Sequence, residues 1–324
     1  MTDATRNILV VAHAQRPDTV VAAARVIAAL RGAGACAVIP AEDVDLADAL
    51  NGSGPLAKLV DEVAVDDIEL AIVLGGDGTI LRAAELVRDG HAPILGINMG
   101  HVGFLAEIEP DVIDDAMQRV IARDYEVEQR MTLGVQVIDA AGALAYETWA
   151  LNEATVEKAS RERMMEVVLE IDGRPLSTFG CDGMVVSTPT GSTAYNFSAG
   201  GPVVWPTVEA IAVVPLSAHA LFARPLVVGP EASVAIEVLR RNDGTGILWC
   251  DGRRSHDLPP GARVVVHRSA VPVRLARLHP APFTDRLVRK FQLPVTGWRG
   301  PEHPGDQRAQ HTGAPSADVS GTAT

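Results

Sequence analysis

A glycine-rich turn is the first segment of the sequence that could do chemistry. Residues 75–79 read Gly-Gly-Asp-Gly-Thr, between an apolar run that predicts a buried strand and an amphipathic run that predicts a helix. Glycines let a ligand approach the backbone closely, and the free N–H groups at a helix N-terminus carry a partial positive charge. This combination predicts a phosphate-binding turn.

Asp77 places a carboxylate inside that turn. A carboxylate repels a phosphate unless it takes part in proton transfer or holds a metal cation between itself and the phosphate. The alternative is a structural turn in which Asp77 caps the following helix, since Gly-Asp-Gly also suits a tight turn. The local sequence leaves both interpretations open.

A second segment, residues 182–202, is rich in groups that could bind a nucleotide. It reads DGMVVSTPTGSTAYNFSAGGP, a short apolar run followed by hydroxyls, glycines and one tyrosine. Hydroxyls and accessible backbone suit contacts with ribose and phosphate, and an aromatic ring can stack on a base. A loop of this length and polarity is uncommon in a purely structural role.

The segment before residue 110 predicts an α/β domain that positions the glycine turn. Short apolar runs alternate there with amphipathic segments, a pattern typical of β-α-β units around a parallel sheet. The predicted strands are 8–11, 37–40, 70–74 and 94–97, and the predicted helices are 17–30 and 80–87. The glycine turn would then follow the third of these strands.

After about residue 124 the pattern becomes typical of an antiparallel, mostly β domain. Apolar and polar residues alternate with period two between frequent turn residues. Asp172-Gly173 predicts a type I′ hairpin turn, because both residue types tolerate a positive φ. The predicted strands are 133–138, 146–151, 167–171, 174–179, 184–187, 234–239, 247–250, 263–267 and 271–275.

Composition limits the possible function classes. The chain has 324 residues, 47% of them hydrophobic, and a formal net charge of −13. This acidic balance disfavours nucleic acids and anionic membranes as partners. Three widely spaced cysteines support neither a disulfide framework nor a zinc site, and the first residues lack a signal-peptide or membrane-spanning run. We therefore expect a cytoplasmic protein with no nucleic-acid or membrane partner.

These patterns divide the chain into four predicted regions. Residues 1–122 form an N-terminal α/β domain with the glycine turn, and residues 123–275 form a C-terminal β-rich domain. Residues 276–299 contain a short helix, predicted at 284–291, that could pack back on the N-terminal domain. Residues 300–324 are poor in large apolar residues and rich in Pro, Gly, Ser and Thr, which predicts a disordered tail.

Three motifs together resemble those of the ATP-NAD kinase family. They are residues 75–79, the run 151–153 (Leu-Asn-Glu) and residues 182–202, in the family's order and spacing. The glycine turn alone is also similar to diacylglycerol kinases, sphingosine kinases and phosphofructokinases. The long hydroxyl-rich segment removes most of that ambiguity, and the resemblance extends over about residues 8–291.

The resemblance implies a fold and a reaction. The fold is a Rossmann-like N-terminal α/β domain with a parallel sheet and a β-sandwich-like C-terminal domain, with the active site in the crevice between them. The reaction transfers a phosphoryl group from ATP, or alternatively from inorganic polyphosphate, to the 2′-hydroxyl of the adenosine ribose of NAD, which gives NADP. Mg²⁺ or another divalent cation is implied, with ligands that the sequence does not identify. A homodimer or homotetramer is implied as well.

The same resemblance assigns site residues. Asp77 is the implied catalytic base, since a positioned carboxylate can accept the proton of an attacking hydroxyl. Asp182 would contact the dinucleotide, either in its own subunit or in a neighbouring one. The implied dinucleotide-binding residues are Asp77, Gly78, Arg82, Asn152, Glu153, Arg163, Asp182, Thr193, Ala194, Tyr195, Asn196, Phe197 and Ser198.

Two other functions stay open at the level of sequence. A lipid or sugar kinase built on the glycine turn would show no dependence on NAD and should lack the hydroxyl-rich segment. A non-catalytic NAD-binding module would bind without turnover, although the intact Asp77 argues against it.

The chain departs from the family pattern at two places near the motifs. Arg253 follows the run 250–252, itself part of the resemblance, where glutamine is frequent in the family. Leu151 stands where asparagine often precedes the Asn-Glu pair. Discrimination between NAD and NADH therefore stays open.

Overall fold

The computed structural model describes residues 6–50, 52–100, 103–106, 108, 112–160, 164–242, 244–278 and 282–295. The predicted tail at 300–324 and the predicted site residue Arg163 lie outside the described residues. No helix in the described part of the chain is both long and apolar enough to cross a membrane.

The described α-helices are α1 (Pro17–Gly32), α2 (Val44–Ala49), α3 (Asp77–Val87), α4 (Ile113–Ala122), α5 (Tyr195–Ser198) and α6 (Phe283–Phe291). They include those that the sequence predicted, together with α2, α4 and α5, which it did not predict. α1 begins with a proline, whose fixed φ and missing N–H suit the first helical position. α3 begins inside the glycine turn, so the helices predicted at 17–30 and 80–87 are confirmed and each is slightly longer than predicted.

The strands form three sheets in the described chain. In chain order they are β1 (Asn7–Ala12), β2 (Cys36–Ile39), β3 (Ala57–Lys58), β4 (Ile68–Leu74), β5 (Ile94–Ile97), β6 (Glu126–Arg130), β7 (Leu133–Ile138), β8 (Leu144–Ala150), β9 (Glu153–Lys158), β10 (Met165–Ile171), β11 (Arg174–Cys181), β12 (Gly183–Ser187), β13 (Ile211–Leu216), β14 (Leu226–Val228), β15 (Val234–Val238), β16 (Gly246–Cys250), β17 (Arg254–Leu258), β18 (Arg263–Arg268) and β19 (Val273–Arg277).

The first sheet has the order β3-β2-β1-β4-β5-β19-β6 and is parallel except for the pairing of β19 with β6. Alternate residues of β1 enter different apolar clusters: Ile8 packs with residues of α1, and Leu9 packs with residues of α3. Because helices cover both faces, the central strands are apolar at nearly every position.

A crevice for ligands is expected at the carboxyl edge of this sheet. β1 lies between β2 and β4, so the chain leaves β1 toward one side and leaves β4 toward the other. In open α/β sheets, ligands bind outside the carboxyl ends of the strands at such a reversal of strand order. The glycine turn 75–79 directly follows β4 at this edge.

The two remaining sheets are antiparallel and six-stranded, with the orders β11-β10-β15-β18-β7-β8 and β14-β13-β12-β9-β16-β17. A single apolar cluster contains Val135 and Val167 of one sheet together with Val156 and Met184 of the other. The sheets therefore pack face to face, as in a β-sandwich. This arrangement confirms the predicted fold class of an α/β domain followed by a β-sandwich-like domain.

The predicted hairpin turn between β10 and β11 is confirmed. Asp172 has a φ of 51° and Gly173 a φ of 71°, and both belong to the left-handed region that a type I′ turn requires. The two strands pair from Ile171 with Arg174 outward.

The strand predicted at 271–275 was placed in the wrong sheet. It lies at β19 and inserts into the first sheet, parallel to β5 and antiparallel to β6. β6, which the sequence patterns did not predict, also belongs to the first sheet. Alternation along the chain identifies a strand but carries no information about its partner, and residues near both ends of the predicted 123–275 domain therefore lie in the α/β layer.

The C-terminal helix α6 contacts both parts of the chain. The ring of Phe104, from the loop after β5, lies 5.9 Å from Phe283 and 5.8 Å from Phe291 between centroids. Phe291 also stacks on Phe197 of α5 at 4.4 Å. The short helix predicted at 284–291 is thus present, and its aromatic side chains connect the hydroxyl-rich segment to the α/β layer.

Candidate active site

The glycine turn requires its glycine at position 75. A Cβ atom on Gly75 would lie 2.4 Å from the Thr79 hydroxyl oxygen, closer than side-chain atoms approach each other. The N-cap residue of α3 is Gly76, which has no side chain with which to cap the helix. Asp77 is the first residue of the helix itself, so its carboxylate is not used as a helix cap. This geometry contradicts the structural alternative in which Asp77 caps the helix.

The Asp77 carboxylate is held by backbone amides of the loop after β5. The Phe104 N–H donates to Oδ2 and the Leu105 N–H donates to Oδ1, both at 3.0 Å. A Cβ atom on Gly103 would lie 2.3 Å from Oδ1, so only glycine leaves room for the carboxylate. The side chain is half-buried, in a turn whose free N–H groups can face an anion.

The Asn152–Glu153 turn connects β8 to β9 and is held by Asp251. The Asp251 carboxylate accepts the N–H of Leu151 at 2.9 Å, of Asn152 at 2.7 Å and of Glu153 at 3.3 Å. Arg254 pairs with the same carboxylate at 2.8 Å. Three consecutive amides and a guanidinium group therefore surround one buried carboxylate, which fixes the backbone of the turn.

Asp251 reaches this position because it occupies the turn between β16 and β17. Its φ is 55° and that of Gly252 is 63°, values that Asp and Gly tolerate better than most residues. The sequence signal was present, since the run 250–252 belongs to the family resemblance, but the carboxylate's role in holding residues 151–153 was missed. That role depends on the pairing of β16 with β9.

Glu153 presents a buried carboxyl group beside Asp251. The residue is 7% exposed, and its Oε2 atom has no hydrogen-bond partner among the residues that the structure describes. Burial, together with the nearby Asp251, raises the pKa of Glu153 from 4.5 to about 8, against the lowering effect of a hydrogen bond from the Tyr195 amide. Glu153 is therefore mostly protonated at neutral pH and can donate a hydrogen bond to a ligand.

An ionic network joins the Asn152–Glu153 turn to α3, the helix of the glycine turn. The guanidinium groups of Arg253 and Arg254 each lie 3.0 Å from the Glu85 carboxylate on α3. The ring of Trp149 contacts Arg254 at 4.4 Å and Arg88 at 4.6 Å. Arg253, one of the departures from the family pattern, thus bridges the two motif regions.

The other departure, Leu151, is explained by packing. The residue is fully buried in the apolar cluster that contains Ile80 and Leu81 of α3. An apolar side chain at this position therefore fastens the Asn152–Glu153 turn against the α/β layer.

Several polar groups of the hydroxyl-rich segment are structural. The Thr188 hydroxyl donates to the Leu151 carbonyl at 2.6 Å, and Ser192 is bonded to the backbone of Pro189 and Val204. Asn196 is fully buried, with its amide nitrogen bonded to the carbonyls of Ser192 and Pro202. Its side-chain oxygen has no hydrogen-bond partner among the described residues, and the predicted binding role of Asn196 stays a prediction.

The remaining predicted residues of this segment are accessible. Thr193 and Ala194 are partly exposed, as are the more open Tyr195, Phe197 and Ser198. The Tyr195 amide reaches Glu153, which brings this segment and the Asn152–Glu153 turn together. A Cβ atom on Gly191 would lie 2.0 Å from the Asn152 carbonyl oxygen, so glycine permits this close approach.

Asp182 is not brought to the same place. It lies beside the far end of β9 and pairs with Lys158 at 2.5 Å. In the pairing of β12 with β9, Ser187 opposes Glu153 and Gly183 opposes Glu157. Asp182, one residue before Gly183, lies beside Lys158, so about five residues of extended strand, or roughly 16 Å, separate it from Glu153.

Arg82, on the helix that begins at Asp77, is turned toward the loop that follows β2. Its guanidinium group pairs with Asp43 at 2.6 Å and with Glu42 at 3.2 Å. These residues line a cavity of about 260 Å³, together with His13 and Gln15 after β1. The cavity lies beside the reversal of strand order where α/β sheets bind ligands.

The fit of a divalent cation depends on Asp77. Among the residues that the structure describes, no group of three or more His, Cys, Asp or Glu side chains could hold a metal ion. Mg²⁺ in phosphoryl-transfer sites is commonly bound by one or two carboxylates together with substrate phosphates. The single carboxylate in the glycine turn fits a cation that is shared with a bound phosphate donor.

The fold and the site define a two-domain protein with a glycine turn at the carboxyl edge of a doubly wound sheet. Residues 9–125 match the model of the ATP-NAD kinase N-terminal domain, and residues 151–278 match that of the ATP-NAD kinase C-terminal domain. The chain belongs to the ATP-NAD kinase family, as its motifs predicted.

Similar proteins cover nearly the whole chain. The NAD kinase of Leifsonia xyli subsp. xyli is 63% identical over 92% of this chain and 98% of its own length. NAD kinase 2 of Streptomyces coelicolor is 57% identical over 92% of this chain and 98% of its own length.

Two solved structures share the fold. Yeast NADH kinase in complex with NADH has a TM-score of 0.81 at 21% identity, over 91% of this chain and 89% of that chain. An NAD kinase from Archaeoglobus fulgidus in complex with ATP has a TM-score of 0.66 at 26% identity, over 88% of this chain and 98% of that chain.

Proposed function

We propose that the protein is an NAD kinase, which transfers the terminal phosphoryl group of ATP to the 2′-hydroxyl of the adenosine ribose of NAD and gives NADP. The observation that carries this proposal is the Asp77 carboxylate, oriented by two amides in a glycine turn of a chain that belongs to the ATP-NAD kinase family. Relatives at 63% and 57% identity bear the name NAD kinase.

Asp77 would act as the general base. A ribose hydroxyl is a weak nucleophile at neutral pH, and a positioned carboxylate that accepts its proton contributes about 10²- to 10⁴-fold. The ribose oxygen bonds to the terminal phosphorus while the bond from that phosphorus to the leaving oxygen of ADP breaks. The hydroxyl proton passes to Asp77, and the two amide hydrogen bonds keep the carboxylate pointed at the reacting oxygen.

The glycine turn would bind the phosphates. The free N–H groups at the start of α3 offer donors and a partial positive charge to an anion. A divalent cation bound with the donor would neutralise charge on the transferring phosphoryl group.

The Asn152–Glu153 turn would bind the dinucleotide. The protonated Glu153 has one oxygen without a partner in the described protein, and a ligand hydroxyl or amide can supply that partner. Tyr195 lies directly beside it and offers a half-exposed ring for stacking. The other proposed contacts in this region are Asn152, Thr193, Ala194, Phe197 and Ser198.

Asp182 and Arg82 take more distant roles in this proposal. Asp182, beside the far end of β9 from Glu153, would contact the dinucleotide of a neighbouring protomer in a homodimer or homotetramer. Arg82 lines the cavity at the carboxyl edge of the first sheet, where it would face the nucleotide or polyphosphate donor across Asp43.

We also propose a cytoplasmic location. The thiols of Cys36, Cys181 and Cys250 are all free, and burial raises the pKa of both Cys181 and Cys250 to about 12. Unreactive thiols without disulfide partners suit a reducing compartment.

A coupled assay tests the proposed reaction. Purified protein is incubated with Mg²⁺, NAD and either ATP or polyphosphate, and any NADP is detected with an NADP-specific dehydrogenase. We expect NADP from the wild type and at least about 100-fold less from Asp77→Asn, which keeps the shape of the side chain but not its basicity. NAD binding without turnover would favour a sensing module, and no NAD binding would favour a lipid or sugar kinase.

A further inference from the structure

A guanidinium group of the C-terminal helix contacts the loop that holds Asp77. Arg286 of α6 donates from Nη1 to the Phe104 carbonyl oxygen at 2.9 Å. The Phe104 carbonyl and the Leu105 N–H belong to one peptide group, and that N–H donates to Asp77 Oδ1 at 3.0 Å. A single planar peptide group therefore connects Arg286 to the proposed catalytic base.

The connection strengthens the hydrogen bond to Asp77. A charged donor on the carbonyl oxygen polarises the amide, and hydrogen bonds in such a chain reinforce one another where the local dielectric constant is low. Phe104 and Leu105 are both buried, so water does not compete at this peptide group. Arg286 thereby makes the Leu105 N–H a better donor and restricts rotation of the peptide plane.

A second arginine holds the next peptide group. Arg277, at the end of β19, donates from Nη1 to the Leu105 carbonyl at 3.1 Å and from Nε to Glu128 at 2.9 Å. Glu128 pairs with Arg130 at 2.9 Å as well, which balances part of the buried positive charge. Two consecutive carbonyls of the loop are thus bonded to arginines.

The aromatic contacts of α6 keep Arg286 in place. Phe283 and Phe291, on either side of Arg286 in the helix, both contact the Phe104 ring. The donor and the peptide group that it contacts are therefore fixed by the same helix.

We propose that Arg286 is a positioning residue for phosphoryl transfer, which orients the Asp77 carboxylate through the peptide group between Phe104 and Leu105. The inference rests on the proposed role of Asp77 as the base. Arg286 does not touch the reacting atoms; it acts on kcat by holding the base in its productive orientation. Arg277 supports the same loop.

The test compares Arg286→Gln with Arg289→Gln in the full chain. Arg289 is an exposed arginine on the same helix, so the control removes the same charge without touching the loop. We expect Arg286→Gln to lower kcat about tenfold, the effect of losing one charge-assisted hydrogen bond, with KM for NAD and ATP unchanged. Arg289→Gln should match the wild type, and Arg286→Lys, which keeps a cationic donor, should recover most of kcat.

A double mutant distinguishes a role through Asp77 from a general structural role. In the Asp77→Asn background, Arg286→Gln should cause no further loss of kcat, since the base on which it acts is already gone. An unchanged kcat in Arg286→Gln, a further tenfold loss in the Asp77→Asn background, or folded Arg286→Lys as slow as Arg286→Gln would each overturn the proposal. Full activity of Asp77→Asn itself would instead remove the proposed base, a result separate from these.

Discussion

The glycine turn and the Asn152–Glu153 turn use carboxylates in opposite ways. At the glycine turn, two backbone amides hold one half-buried side chain, Asp77. At the other turn, one buried side chain, Asp251, holds three backbone amides. The first arrangement fixes the orientation of the carboxylate that we propose as the base, whereas the second fixes three backbone amides beside the buried Glu153, whose pKa is raised to about 8.

The comparison teaches that position in the fold decides what an aspartate does. Asp77 follows a parallel strand at the carboxyl edge of a sheet, the edge at which open α/β sheets bind ligands. Asp251 lies in the hairpin turn between β16 and β17, next to β9, and both of its carboxylate oxygens accept hydrogen bonds from the protein itself. Substitutions around Asp77 should therefore reduce turnover, and substitutions around Asp251 should reduce stability.

Asp251→Ala should have the largest effect, on stability. The substitution leaves three buried amides and Arg254 without their common acceptor, so we expect the free energy of unfolding to fall by about 3–5 kcal/mol. Urea unfolding followed by circular dichroism measures it. Asp251→Asn keeps an oxygen acceptor and tolerates the positive φ, and its loss should be smaller. A loss below about 1 kcal/mol for Asp251→Ala would mean that other contacts hold the turn.

Gly103→Ala should have the next largest effect, on turnover. The new Cβ atom would lie 2.3 Å from Asp77 Oδ1, so the carboxylate must move away from its two amides. Moving a catalytic group by about 1 Å costs about 10²-fold in kcat. Steady-state NADP formation measures the loss, while the thermal midpoint should change little.

Gly229→Ala is the matched control for this prediction. Its Cβ atom would meet nothing within 4 Å among the described residues, and the residue lies after β14, three strands from β9 in the same sheet. Equal activities of the two alanine variants would show that the position of Asp77 is not critical.

Glu153→Gln should change the pH dependence of stability. The pKa of Glu153 is raised from 4.5 to about 8, so the folded protein keeps a proton that the unfolded chain loses across this range. The free energy of unfolding therefore falls as pH rises from about 4.5 to about 8. The variant cannot ionise, and its slope should be shallower by up to about 1.4 kcal/mol per pH unit.

Urea unfolding at several pH values checks this prediction. Glu147→Gln, on an exposed position of β8, removes an equivalent carboxylate and should keep the wild-type slope. Parallel curves for wild type and Glu153→Gln would mean that Glu153 is already ionised in the folded protein.

Glu85→Gln should have the smallest effect, on the coupling of the two turns. Glu85 pairs with both Arg253 and Arg254, but all three side chains are partly exposed, and we expect a loss of about 1 kcal/mol in unfolding free energy. Glu166→Gln, which breaks a more exposed pair with Arg241, should cost less. Combining Glu85→Gln with Asp251→Ala should give less than the sum of the two losses, because both act on Arg254.

Much of the fold could be predicted because its signals are local in sequence. The strands at 133–138 and 94–97 were predicted with their observed bounds, and the Asp172-Gly173 turn followed from residue type alone. The strand predicted at 271–275 exists, but its pairing was predicted wrongly, since it pairs with β5 and β6. Chain periodicity reports which face of a strand is buried and not which strand lies beside it.

The candidate site divides in the same way. The motifs identified Asp77 and the Asn152–Glu153 pair. The groups that hold these residues, Asp251 and Arg286, were missed. Asn196, which the family resemblance implied as a binding residue, is buried with its amide nitrogen bonded inside its own segment, and its binding role stays a prediction.

The sequence by itself determined the family, the two-domain class and the residues proposed to meet substrate, because motifs and hydrophobic periodicity are written over short stretches of chain. Tertiary structure alone decided what orients those residues. Asp251 lies 100 residues from the Leu151 amide that it accepts, and Arg286 lies 182 residues from the Phe104 carbonyl. Contacts over such separations exist only after the sheets have paired, so no local pattern could reveal them.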